Sequence, residues 1–273
     1  MGTTIPQEFR CRMIYSDIDG TLLNSSHHIS VDTREKILEL DRREIPLIMV
    51  SARMPDGVEI IRRELGNHRP IICYSGGLIL DEQGQIMYSR QMELELAVEI
   101  QDTLKNQYPR ICCNTYGGNL WVVENDKNPW VVREERITEG KSVVGDIREL
   151  FENQGGIHKF LLMGEPEDIS QAETFLRSQY GKLSILKSND NYLEIMDSGV
   201  DKAEGVQILC RYYGISTEEA AAFGDSENDV GMLKAVKYGF AMGNASDYVK
   251  EQATFVTLSN DEQGMLEVIK RIL

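Results

Sequence analysis

Short runs of apolar residues alternate with amphipathic stretches along the first third of the chain. Residues 12–16 form an apolar run that ends at Asp17-Ile18-Asp19-Gly20 and reads as a buried strand entering a loop. Residues 30–43 carry Val31, Ile37, Leu38 and Leu40 on a helical pattern, with Ser30 placed to cap it. Residues 46–50 are a second buried strand, ending at Ser51, and 55–65 a second helix, closed by Gly66. Residues 71–74 are a third strand, ending at Ser75-Gly76-Gly77. Strand, helix, strand, helix, strand is the alternation that builds a parallel sheet.

The pattern then changes. Residues 78–80 and 86–88 flank a polar 81–85 stretch, a hairpin signature. A helix is predicted over 93–108, and a hairpin over 111–116 and 119–123 with Gly117-Gly118 as its turn. Residues 143–154 and 166–180 read as helices, and 159–163, 183–187 and 192–196 as strands. This middle section is an antiparallel α+β pattern. From Asp201 the α/β alternation resumes. A helix over 202–213 has Asp201 and Glu204 spaced as a capping box. Strand 220–223 ends at Gly224-Asp225 and is followed by a helix over 228–236. Short strands at 238–242 and 254–258 precede a last helix over 264–273. The fold class is therefore α/β, a Rossmann-like parallel-sheet core interrupted by an α+β insert. The expected division is a core of residues 1–83 and 191–273 and an insert of 84–190.

Composition narrows the partners. The net charge of −15 argues against nucleic acid or an anionic membrane as the main partner. No apolar stretch of about 18 residues suggests a membrane span. The first ten residues lack the apolar core of a signal peptide. None of the five cysteines forms a Cys-x-x-Cys pair, so neither a zinc site nor a redox motif is indicated. A cytoplasmic protein is expected.

The candidate chemistry lies at the ends of the predicted parallel strands, where ligands of open α/β sheets bind. Asp17, Asp19, Asp225 and Asp229 would repel one another without a cation, and oxygen-only ligands point to magnesium. An aspartate can attack phosphorus to form an acyl phosphate, and a second carboxyl group can move the protons. Lys202 falls in the first turn of its helix, where the macrodipole disfavours a cation, and is therefore expected to face an anion. Ser51 offers a hydroxyl, and Ala52 and Arg53 offer backbone N–H groups to phosphate oxygens. The Arg53 side chain either meets phosphate or pairs with an acidic neighbour.

Asp17-Ile18-Asp19-Gly20-Thr21-Leu22-Leu23 resembles the first motif of the haloacid dehalogenase superfamily in its phosphatase form. Val50-Ser51-Ala52-Arg53 resembles the second, Lys202 the third, and Gly224-Asp225-Ser226-Glu227-Asn228-Asp229 the fourth. The insert resembles the α/β cap of the Cof-type subfamily. The resemblance implies Asp17 as nucleophile and Asp19 as general acid and base. It implies Ser51 and Lys202 as phosphate holders, with Asp17, Asp225 and the backbone carbonyl of Asp19 on Mg2+. Asp229 and Asn228 would support the metal site, and the cap would contribute to substrate choice. The implied function is hydrolysis of a small phosphorylated metabolite, a sugar phosphate or a phosphorylated cofactor. A phosphomutase, a phosphoaspartate receiver module and a dehalogenase are the alternatives. Oligomeric state is not legible. The chain departs from the family at Ala52 (usually Gly), at Ser75-Gly76-Gly77 (usually Asn-Gly-Ala), at Asp197 (usually Pro) and at Asp201 (usually Ser).

Overall fold

The computed structural model describes residues 10–273; the first nine residues of the stretch compared above with a signal peptide lie outside these. In chain order the first elements are β1 (Met13–Ser16), α1 (Val31–Arg42), β2 (Leu47–Val50), α2 (Pro55–Leu65), β3 (Ile71–Cys73), β4 (Leu78–Leu80) and β5 (Ile86–Ser89). The middle section holds β6 (Met92–Glu93), α3 (Leu94–Gln107), β7 (Cys112–Gly117), β8 (Leu120–Val123), α4 (Pro129–Thr138), β9 (Val143–Val144), α5 (Ile147–Phe151), β10 (Gly156–Ile157), β11 (Lys159–Met163), α6 (Pro166–Gln179), β12 (Ser184–Asn189) and β13 (Tyr192–Met196). The last part holds α7 (Lys202–Tyr213), β14 (Ala220–Gly224), α8 (Val230–Ala235), β15 (Tyr238–Ala241), α9 (Asp247–Gln252), β16 (Phe255–Val256) and α10 (Gly264–Ile272).

An eight-stranded sheet runs in the order β16-β15-β14-β1-β2-β3-β4-β5. It is parallel from β16 to β3, and β4 turns back antiparallel on β3. The central strands are buried along their whole length, which is why they read as continuous apolar runs. α1 packs with α10, and α7 with α8. Ser30 caps α1 by accepting a hydrogen bond from the Thr33 N–H. Asp201 caps α7 through the Ala203 N–H alone; a reciprocal capping box closes instead at Ser226 and Asp229.

The second unit is a six-stranded sheet, order β12-β13-β11-β7-β8-β9, with a separate β6-β10 pair. Phe160, Leu162, Leu193 and Ile195 on one of its faces form a core with Ala97, Ile100, Ile169 and Leu176 of α3 and α6.

The structure departs from the expected division and elements at several points. The compact units change over at 87/88 and 200/201, not at 83/84 and 190/191. β13, placed in the core by the expected boundary, pairs with β11 and β12 and is part of the second unit. Met54–Gly57 also groups with the second unit. Residues 143–154 are not one helix: Val143 and Val144 pair with β8, and Asp146 starts a fresh helix by accepting from the Arg148 N–H. The β7–β8 turn is Gly118-Asn119, because Gly117 pairs with Leu120 and packs where a Cβ would lie 2.6 Å from the Phe151 ring. α4, β6 and β10 went unread; α4 starts on a proline under an Asn128 cap. Among the described residues no helix is long and apolar enough to cross a membrane.

Candidate active site

The sheet order brings the carboxyl ends of β14, β1, β2 and β3 side by side, so Asp225, Asp17, Ser51 and Tyr74-Ser75 follow neighbouring strands. Asp17 continues the ladder by donating its N–H to Phe223 O at 3.0 Å. Ser51 does the same to Ile72 O at 2.9 Å.

Lys202 is the centre of the arrangement. It is the first residue of α7 and only 1% exposed, and its Nζ lies 2.5 Å from Asp17 Oδ1 and 2.6 Å from Asp229 Oδ1. A cation at a helix N-terminus opposes the macrodipole; here two carboxylates offset that. Burial would lower the Lys202 pKa, yet Asp17 and Asp229 together raise it. Asp229 is fixed at its other oxygen, which accepts from the Asp225 and Ser226 N–H groups at 3.0 and 2.9 Å and from the Ser226 hydroxyl at 2.9 Å. It thus shapes the loop that presents Asp225. Gly224 allows this, since a Cβ there would sit 2.4 Å from the Asp229 Cβ.

Carboxylate oxygens of Asp17, Asp225 and Asp229 lie within 4.8 Å of one another. One ammonium does not balance three carboxylates. Burial first, then Asp229 and Asp225, push Asp17 well above the ordinary carboxylate range although Lys202 opposes them. Asp225 is pushed up to about 6, by burial first, with the Thr21 hydroxyl hydrogen bond opposing. A hard divalent cation would relieve both, so the donor set suits one. The expected ligand set took the backbone carbonyl of Asp19, not its side chain, beside Asp17 and Asp225; the carboxylate trio has Asp229, expected as a support, as its third member.

The loop after β1 is held from several sides. Thr21 Oγ1 donates to Asp225 Oδ1 at 2.7 Å, Asn244 donates to Gly20 O at 2.9 Å, and Asn260 donates to Leu23 O at 2.9 Å. Gly20 has φ +79°, and a Cβ there would lie 2.4 Å from Asp225 Oδ2. Gly20→Ala is therefore expected to cost about 1–2 kcal/mol of stability from the left-handed backbone alone, and to displace Asp225. Thermal melts and titration with a divalent cation check this: both melting temperature and cation affinity should fall.

Arg53 grips Asp19 bidentately, Nε to Oδ2 at 2.8 Å and Nη2 to Oδ1 at 2.6 Å. Asp19 is thus the acidic neighbour expected as one of its two partners. The Arg53 N–H, expected to face phosphate, donates to Ser51 Oγ at 3.2 Å. Ser51 itself is buried. Ala52 follows it in the same loop, and Arg53 O accepts from the Tyr74 N–H at 3.1 Å. Asn228 meets Asp229 through Ser226, whose hydroxyl lies 2.6 Å from Asn228 Oδ1 and 2.9 Å from Asp229 Oδ2 and shares its one proton between them. Thr21, Asn244 and Asn260 were not read from the sequence. Thr21 lay within the first motif and offered a signal; the two asparagines lie far along the chain and offered none.

Fold and site define an α/β enzyme core with an acidic, lysine-bridged centre and an inserted second unit. The family of haloacid dehalogenase-like hydrolases matches residues 14–269, and the chain belongs to it. A relative from Haemophilus influenzae is 34% identical over 259 residues, covering 95% of this chain and 97% of its own. The 5-amino-6-(5-phospho-D-ribitylamino)uracil phosphatase YwtE of Bacillus subtilis is 29% identical, with 96% of this chain and 98% of that protein covered. A haloacid dehalogenase-like hydrolase from Bacteroides thetaiotaomicron has the same fold, with TM-score 0.87 and 30% identity over 96% of this chain and 100% of that one. The chain is a hydrolase of the family's Cof-type phosphatases.

Proposed function

We propose that this phosphatase hydrolyses a small phosphomonoester, a sugar phosphate or phosphorylated cofactor, through an aspartyl-phosphate on Asp17 and with Mg2+. The observation that carries the reading is Lys202, buried between Asp17 and Asp229 at the strand ends. Asp17, Asp225 and the Asp19 carbonyl would hold Mg2+, with Asp229 bracing the loop. When bound, Mg2+ supplies the positive charge that lets a carboxylate approach a phosphate dianion.

An Asp17 oxygen attacks phosphorus while the ester P–O bond breaks, and the leaving oxygen takes its proton from Asp19. Water then attacks the phosphorus of the aspartyl-phosphate, Asp19 accepts its proton, and inorganic phosphate leaves with Asp17 restored. Ser51 and Lys202 hold the phosphoryl oxygens meanwhile. Asp19 accepts from Arg53 at both oxygens, so it gives a proton only after Arg53 turns away, and the substrate phosphate is the anion that draws Arg53. The unit of residues 88–200 is the cap and selects the leaving group. The phosphorylated metabolite named for YwtE is of the class proposed. Five free cysteines, four of them buried, fit a cytoplasmic protein.

Phosphate release from a broad panel of phosphomonoesters, with Mg2+ or with EDTA, tests this. Mg2+-dependent turnover of one group of small esters is the expected result. No release from a folded protein would count against hydrolysis; a requirement for a bisphosphate activator would favour a mutase.

Asp225 sets a pH dependence. Its carboxyl is raised from 3.8 to about 6 on folding, so the folded protein holds that proton more tightly than the unfolded chain. The stability this gives is full below the ordinary carboxylate value and is lost as pH rises through about 6. In EDTA, the melting temperature of the native protein relative to Asp225→Asn should fall across that window. Mg2+ should restore it above the window.

A further inference from the structure

Ser75 breaks two local rules at once. It follows β3 in the left-handed region at φ +53°, after Tyr74 at φ +49° and before Gly76 at φ +105°. L residues rarely adopt that region. Its hydroxyl is also buried, the residue being 4% exposed, and has no hydrogen-bond partner among the described residues. A buried hydroxyl without a partner is unfavourable. Glycine at this position would remove both costs. A group that weakens the resting fold twice over is explained when a ligand completes its hydrogen bond.

Its neighbours say which ligand. The Ser75 N–H donates to Ser51 O at 2.9 Å, and the Tyr74 N–H donates to Arg53 O at 3.1 Å, so this loop is laced onto the Ser51 loop. On its other side Gly76 packs against the start of α7: a Cβ there would lie 2.2 Å from Asp201 O and 3.3 Å from Lys202 N. Ser75 and Gly76 thus join the backbone of the two segments that carry Ser51 and Lys202, the residues assigned above to the phosphoryl oxygens. Tyr74 and Ser75 take their strained backbone where the chain must leave β3 and reach both.

We propose that the Ser75 hydroxyl is a third phosphate-binding side chain, donating a hydrogen bond to an oxygen of the substrate's phosphoryl group. This rests on the reading of the site as a phosphomonoesterase. Because the hydroxyl makes no hydrogen bond among the described residues, its removal separates stability from binding in opposite directions, which a structural serine would not do.

The test uses the full chain with Mg2+, as native protein, Ser75→Ala and Ser75→Gly. The readouts are turnover of p-nitrophenyl phosphate and of alkyl phosphates, competitive inhibition by inorganic phosphate, and thermal melts. Both variants should weaken inhibition by phosphate about 10- to 100-fold, the range for a hydrogen bond to a charged group. They should lower kcat/KM by a similar factor for every leaving group. Neither should melt below the native protein, and Ser75→Gly should melt above it. Unchanged inhibition by phosphate, as for a hydroxyl that holds only water, would overturn the proposal. So would a loss confined to one leaving group, or a lower melting temperature for Ser75→Ala. Failure of the underlying reading looks different: the native protein itself would release no phosphate and bind none.

Discussion

Asp17→Asn is expected to lower phosphate release by about 10⁴-fold or more, the scale on which removal of a nucleophile acts, while the protein stays folded. The amide keeps the shape of the side chain but cannot form the acyl phosphate. Lys202 keeps Asp229 as its partner at 2.6 Å. The carboxyl of Asp17 is raised because burial and the neighbouring carboxylates disfavour its charge. Its replacement therefore removes an unfavourable term from the metal-free fold. In EDTA the variant should melt at or above the native protein, and the increment that Mg2+ adds should shrink. Initial rates and melts with and without Mg2+ measure all three. Substantial residual turnover would remove Asp17 from the chemistry.

Lys202→Met is expected to damage the fold as well as the activity. The methionine fills the volume, but Asp17 and Asp229 are left buried without their cation. Breaking a buried ion pair by removing one partner costs about 3–5 kcal/mol. The sign of the pH dependence follows from Asp17. With Lys202 gone the proton affinity of Asp17 in the folded state, already raised, rises further above that of the unfolded chain. The penalty is then absent when both states are protonated and grows as pH rises. The stability deficit against the native protein should shrink as pH falls from 8 towards 5, read by denaturant unfolding at each pH. Turnover should fall by about 10²- to 10³-fold, the usual loss when one preorganised charge stabiliser is removed. A variant as stable as the native protein at pH 8 would contradict the reading of Lys202 as the counterion of the site.

Much of the fold was legible because its signals are local. β1, β2 and β14 are fully buried parallel strands and show as unbroken apolar runs, each followed at once by a polar residue of the site. The helix-start position of Lys202 already implied an anion, and Asp17 and Asp229 are that anion. What was missed depends on contacts distant in sequence. Asn244 and Asn260 steady the loop after β1 across more than two hundred residues, and nothing local marks them. Arg53 and Asp19 pair across 34 residues, so the identity of the acidic partner needed the folded chain. The expected unit boundary at 190/191 fell on a polar turn between two strands. That turn is the hairpin between β12 and β13, and the crossover comes ten residues later. Val143 and Val144 had β-branched side chains that favour the strand they form, but the longer apolar period around them hid it.

The most direct measurement of the central claim, a covalent aspartyl-phosphate, is the stereochemical course at phosphorus. A phosphorothioate monoester made chiral with two oxygen isotopes is hydrolysed by the native enzyme in water of the third isotope. Two in-line displacements, first by Asp17 and then by water, give thiophosphate with retained configuration. Inversion would mean a single direct attack by water, and would contradict the role assigned to Asp17.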